Sequence, residues 1–162
     1  MSEEKKKKRG PMFMLFVVAG VGLLVILPLV ALLLGLGIPA YRETIVVRNE
    51  TVAYQTVKTL ATAQHAYKDS LGRYATFDEL VETQLIERVF AGERPVLDGY
   101  VFTMRVTPPS EGVPAFYSIN ADPEEAGGWF PTGRARFYFD SEISGIRFNE
   151  ERTAGPRDRP RE

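Results

Sequence analysis

Residues 12–38 form an unbroken run of 27 positions without a charged side chain. As a helix rising about 1.5 Å per residue, such a run reaches about 40 Å, more than the ~30 Å hydrocarbon core of a bilayer. It exceeds the apolar region of an ordinary signal peptide and lacks the polar boundary and small-residue cleavage site that would follow one, so it reads as a retained anchor. Beyond it the pattern changes. Ala53, Val57, Leu60, Gln64, Tyr67 and Leu71 recur at spacings of four and three, and Val46, Val47, Ala61 and Ala63 widen the apolar face. Arg42, Glu43, Arg48, Glu50, Lys58 and Lys68 occupy polar positions. This periodicity predicts an amphipathic helix over about residues 40–70, continuing from the apolar one with a bend at Pro39.

Gly72 suits a left-handed helix cap. Thr76 with Glu79 three residues on forms a capping box for a short helix from Phe77 to about Gln84, whose Leu80, Val81 and Leu85 can face the first helix. From Gly99 the period falls to two. Residues 100–106 and 115–120 read as strands joined by a turn at Pro108, Pro109 and Gly112. Residues 121–133, rich in Gly, Pro and acid, read as a loop. Residues 134–140 and 146–148 read as a third and a fourth strand, and the charged stretch 150–162 with its prolines as a disordered tail. The expected fold is α+β: a long N-terminal helix packed on a small antiparallel sheet of about four strands. Val57, Leu60, Tyr67, Val101, Tyr117, Phe137 and Phe139 are the residues expected between helix and sheet. The expected organisation is a basic tail over 1–10, a transmembrane helix over 11–39, an exported domain over 40–149 and the tail over 150–162.

Charge sharpens this layout. Residues 1–10 hold four lysines and one arginine against two glutamates, a net +3, whereas the rest of the chain holds 15 basic and 19 acidic side chains, a net −4. Lys5, Lys6, Lys7, Lys8 and Arg9 abut the apolar run, so the positive-inside rule puts this end in the cytoplasm and exports the remainder. The same cluster could be read as a nucleic-acid patch, but topology already accounts for it, and the mildly acidic remainder shows no nucleic-acid footprint. The chain has no cysteine, which excludes disulfides, thiolate metal sites and cysteine nucleophiles.

The segment GLGIPAYRE at residues 35–43, with the long helix behind it, resembles the type IV pilin and pseudopilin family. GRYATFDEL at 72–80 looks like the loop after the first helix in many bacterial pilin-like proteins, and YSINADP at 117–123 and RFYFDSEISGIRFN at 136–149 resemble their last strands. The resemblance covers nearly the whole chain and rests on the order of short motifs. It implies a pilin-like fold, the bacterial inner membrane as location, and a domain that is periplasmic or extracellular in a filament. The implied partners are the lipid bilayer and other pilin-like subunits or pilus and secretion assembly proteins. No cofactor and no enzymatic activity is implied.

The pattern departs from the family at its processing site. A prepilin leader ends in Gly, is cut there, and usually leaves Glu as the fifth residue. Here Pro11 follows Gly10 and the fifth position is Leu15. Counting back from Pro39 by the family's usual spacing puts the start at Val18 and the Glu position at Gly22. In such chains the Glu meets a neighbouring subunit's N-terminal amine, and a buried charge without its partner is costly. Without that pair, assembly would rest on helix packing through Gly20, Gly22, Gly35 and Gly37, shaped by Pro28, Pro39 and Tyr41. The alternative is a membrane-anchored binding domain that keeps the pilin fold and does not polymerise.

Other signals are weaker. Asp122, Asp140 and Glu142, with Glu124 and Glu125, are oxygen donors in loops, and some pseudopilins that this chain resembles bind calcium there; solvated loop acids are the plainer reading. His65 is the only histidine, too few for a usual zinc site, and reads as a surface or groove residue. Asn49-Glu50-Thr51 matches a glycosylation sequon inside a predicted helix. Arginines interleaved with aromatics over 134–140 could bind single-stranded nucleic acid, but on a strand they more simply put aromatics inward and arginines outward. Trp129 and Phe130 sit in a Gly-rich loop, either exposed to a partner or folded back as a lid. No phosphate loop, paired catalytic carboxylates or nucleophile elbow appears.

Overall fold

The absence of charge over 12–38 and the apolar stripe beyond it are both expressed in one element. The computed structural model describes residues 10–161; Lys5, Lys6, Lys7, Lys8 and Arg9 lie outside the described residues. A single helix, α1, spans Pro11–Leu71 with Pro28 and Pro39 inside it. The chain forms two compact units, Met1–Tyr41 and Arg42–Glu162, and α1 contributes to both.

In the first unit α1 is long and apolar enough to cross a membrane. Its side chains are open: Leu15, Leu24 and Leu36 are 69%, 77% and 66% exposed. An apolar surface of this extent has no counterpart on an ordinary water-soluble monomer.

In the second unit α1 buries Val46, Asn49, Ala53, Val57, Leu60, Gln64 and Tyr67, one stripe at spacings of three and four. Val47 and Leu71, expected on the apolar face, are exposed. Val47 stands about 100° from Val46, more than a quarter of a turn, and Leu71 closes the last turn. There Gly72 takes φ of +74° and its N–H donates to Lys68 O at 2.7 Å, the cap its sequence position calls for. The next helix, α2, spans Phe77–Glu82 and begins with the complete Thr76–Glu79 capping box. A 3₁₀ turn follows at Arg88–Phe90.

The sheet is antiparallel, as expected, but has six strands rather than four: β1 Val96–Leu97, β2 Tyr100–Thr107, β3 Phe116–Pro123, β4 Arg136–Asp140, β5 Arg147–Asn149 and β6 Arg159–Pro160. They lie in the order β1-β2-β3-β4-β5-β6, a simple meander. The first added strand follows from Asp98 and Gly99, at φ of +46° and +73°. They make a two-residue turn with Leu97 opposite Tyr100, and Asp-Gly is a strong hairpin signal.

The second added strand, β6, lies in the stretch 150–162, read above as disordered. Its charge does not prevent ordering, because the arginines cover aromatics. The Arg159 guanidinium stands 4.4 Å from the Phe148 ring centroid, and that of Arg161 stands 4.9 Å from Phe137 and 5.3 Å from Tyr54. Cations at such distances are attracted to ring faces, and their stems add apolar cover. Asp158 accepts hydrogen bonds from Asn149 Nδ2 at 3.0 Å and the Gly155 N–H at 2.9 Å.

The core lies between the 42–71 part of α1, α2 and one sheet face. It holds Val57, Leu60, Tyr67, Phe77, Leu80, Phe90, Tyr100, Phe102, Tyr117, Ile119 and Phe137, with Phe139 packed at its edge. Of the residues expected there, Val101 is the exception: Tyr100 and Phe102 are buried and Val101 is only half-buried. Cross-strand partners share a face. Phe102 pairs with the buried Ala121, and Val101 with Asp122 on the opposite face.

Candidate functional site

The residues assigned to assembly are on α1, in the unit Met1–Tyr41. Around Gly20, Gly22, Gly35 and Gly37, a Cβ would meet no atom within 4 Å. Among the described residues, therefore, no neighbour requires glycine at these positions. What glycine offers there is a shallow surface on which another helix can approach closely. Tyr41 is 69% exposed. Pro28 and Pro39 each remove a backbone donor from α1.

The first turns of the second unit are held very differently. Arg134 Nη1 and Nη2 donate to Glu43 Oε1 and Oε2 at 3.0 and 2.7 Å, a two-pronged ion pair. It lowers the Glu43 pKa from its ordinary value, chiefly through that hydrogen bond. Glu50 Oε1 accepts the Arg134 and Ala135 N–H groups at 2.9 and 3.1 Å. Asn49, buried, donates through Nδ2 to Thr132 O at 2.9 Å. Arg42 donates to Gly128 O at 3.4 Å and faces the Trp129 and Phe130 rings, 5.3 Å from each centroid. A loop of the sheet is thus fastened to α1 by polar groups along residues 42–50.

Two glycines make this junction possible. A Cβ on Gly99 would come within 2.7 Å of Thr132 Cβ, and one on Gly133 would collide with the Tyr100 ring. Tyr100 in turn donates to Ala135 O at 2.7 Å, and burial pushes its hydroxyl pKa well up. The sequence reading missed this junction. Its signal was a run of hydrogen-bonding residues, Arg42, Glu43, Asn49 and Glu50, where α1 emerges from its apolar half.

The acids considered for calcium are engaged otherwise. Asp140 is buried; its Oδ1 accepts the Glu142 and Ile143 N–H groups at 2.8 and 2.9 Å, and its Oδ2 accepts the Tyr138 hydroxyl at 2.8 Å. Asp122 lies 3.8 Å from Arg136 Nε, and its pKa is raised because desolvation outweighs the Thr153 hydrogen bond and the arginine. Glu142 is exposed. Among the described residues no three His, Cys, Asp or Glu side chains converge as metal ligands do.

His65 is exposed, its ring edge-on to buried Tyr117 at 6.5 Å. Asn49 of the sequon uses its amide on Thr132, so it is not presented for glycosylation. Arg134 and Arg136 are bound to Glu43, to Asp122 and to Glu150 O, the last at 2.7 Å. Gln64 is a residue whose position in the apolar stripe concealed its role. Fully buried, its amide donates to Ala75 O and accepts the Ala75 N–H at 2.9 Å, pairing both backbone groups of the turn after α1. Protein-family models, characterised proteins and solved structures give no match to this chain.

Proposed function

We propose that this chain is a structural, pilin-like subunit or accessory of a type IV pilus or type II secretion pseudopilus. Its N-terminus would lie in the cytoplasm, α1 in the bacterial inner membrane, and the sheet domain outside. One observation carries the reading: within a single helix, residues 18–38 present apolar side chains that no described residue covers, while residues 46–67 bury one face against a sheet. An element so divided has one end built for lipid or for other helices and the other for its own domain. The small residues at Gly20, Gly22, Gly35 and Gly37 supply approach surfaces for a neighbouring helix.

The test uses the lack of native cysteine. A Gly22→Cys chain, expressed in its own cells and oxidised, is expected to form dimers linked through the apolar helix and to appear with sheared surface filaments. A chain that stays monomeric and membrane-bound, absent from the sheared material, overturns the assembly role. That outcome supports a second reading, a membrane-anchored pilin-fold domain that binds a partner without polymerising. The second reading is favoured by Pro11 after Gly10 and by Leu15 and Gly22 standing where the resembled family has its Glu.

A further inference from the structure

We propose that the loop at residues 125–132 is a second membrane contact, seating Trp129 and Phe130 in the headgroup layer of the bilayer that α1 crosses. The inference rests on the membrane-anchoring part of the reading above and does not depend on polymerisation.

Trp129 and Phe130 are 73% and 68% exposed, the most exposed large apolar side chains described in the unit Arg42–Glu162. They do not fold back as a lid. Leaving two adjacent aromatics in water forgoes the burial that normally orders such rings.

The loop that presents them is preformed. The Thr132 N–H donates to Glu125 O at 2.8 Å, and the Glu125 N–H donates to Thr132 Oγ1 at 3.1 Å, closing its base. Asn49 fixes that base to α1 through Thr132 O. At the tip Gly128 turns the chain with φ of +79°, and its carbonyl accepts from Arg42. The tip therefore stays beside Arg42, whose guanidinium faces both rings.

Arg42 is four residues beyond Ile38, where the apolar run 12–38 ends, and is the first charged residue after it. Four residues span about 6 Å as helix and no more than about 14 Å when fully extended. The polar layer on each side of a bilayer is about 6 Å thick, from a ~30 Å core within ~40–45 Å overall. With Ile38 at the edge of the core, chain connectivity thus keeps Arg42, and the rings beside it, at or near that layer. Tryptophan is enriched there because its ring is apolar and its N–H is polar, and an arginine there keeps its charge in water while its stem lies against apolar groups.

Trp129 is the only tryptophan in the chain, so its emission reports this loop alone. The experiment reconstitutes the full chain into phosphatidylcholine vesicles whose acyl chains carry bromine near the headgroup or near mid-chain. The expected result is emission shifted to the blue of the denaturant-unfolded chain and quenched more by shallow than by deep bromine. A vesicle-bound chain whose emission is unshifted and unaffected by bromine overturns the proposal while leaving the anchor intact. A blue shift without bromine quenching also overturns it and assigns the aromatics to a protein contact. A chain that fails to float with the vesicles removes the anchoring reading and this contact together.

Discussion

Residues 18–38 and residues 42–71 share one helix but present opposite surfaces. In the first region large apolar side chains are open all round and the glycines have empty space beside them. In the second, one stripe is buried to completion, and its polar members Asn49 and Gln64 are hydrogen-bonded. Backbone hydrogen bonding makes both regions helical, yet it does not say what each face meets. The second region finds its apolar partner within the chain. The first finds none among the described residues; it is long and apolar enough to cross a membrane, a setting in which small residues and proline are tolerated.

The sharpest way to break this contrast is to truncate one leucine in each region. Leu60, fully buried, replaced by alanine is expected to destabilise the sheet domain by about 2–5 kcal/mol. Leu24→Ala, at a site 77% exposed, is expected to leave the domain's thermal midpoint unchanged. Near-ultraviolet circular dichroism of the full chain in detergent reads both. Equal effects would mean that the two halves are not solvated differently.

Glycine offers a milder comparison. Gly133→Ala drives a methyl into the Tyr100 ring and is expected to cost about 1–3 kcal/mol, as overpacking does. Gly22→Ala, with open space around it, is expected to cost the domain nothing and to register only in helix association. Denaturant midpoints for the domain, and cross-linking yields for the helix, separate the two effects.

The smallest expected effect lies where α1 ends. Thr76→Ala removes the cap of α2 and is expected to lower stability by about 1 kcal/mol. The Arg73 guanidinium, with the Thr76 N–H, lowers the Glu79 pKa from 4.5 to about 2. A carboxylate with a depressed folded-state pKa contributes stability that is complete above the ordinary value and is lost as pH falls through the folded one. The domain is therefore expected to weaken progressively between about pH 4.5 and pH 2. That increment should be absent in Glu79→Gln, and a parallel acid profile for both proteins would show that the Arg73 contact is not formed.

Much of the fold was legible in advance because it obeys local rules. The stripe through Val57, Leu60 and Tyr67, the Gly72 cap, the Thr76 box and the alternation in β2 to β4 are all short-range patterns. The hairpin at Asp98 and Gly99 was missed, although the backbone preference of those two residues makes a turn. The register of β2 was not legible. Val101 and Phe102 are both apolar, and only pairing with β3 decides which of them faces the helix. Nor was β6 visible, since Arg159 within it and Arg161 just after it look like solvent-seeking charge until Phe148, Phe137 and Tyr54 are brought beside them.

The candidate surfaces divide along the same line. Sequence by itself determined that residues 12–38 are long and apolar enough to cross a membrane, that the remainder is α+β, and that glycines recur along the apolar helix. Each of these depends on composition or on spacings within one element, which the linear order of residues already contains. Only the tertiary structure decided that Glu43, Asn49 and Glu50 clasp a loop 83 to 91 residues away. It also decided that Gln64 serves the turn at Ala75, and that Trp129 and Phe130 stand open beside Arg42. The reason is that a polar side chain carries no mark of its partner. Its role is set by which donor or acceptor the folded backbone brings within about 3 Å of it.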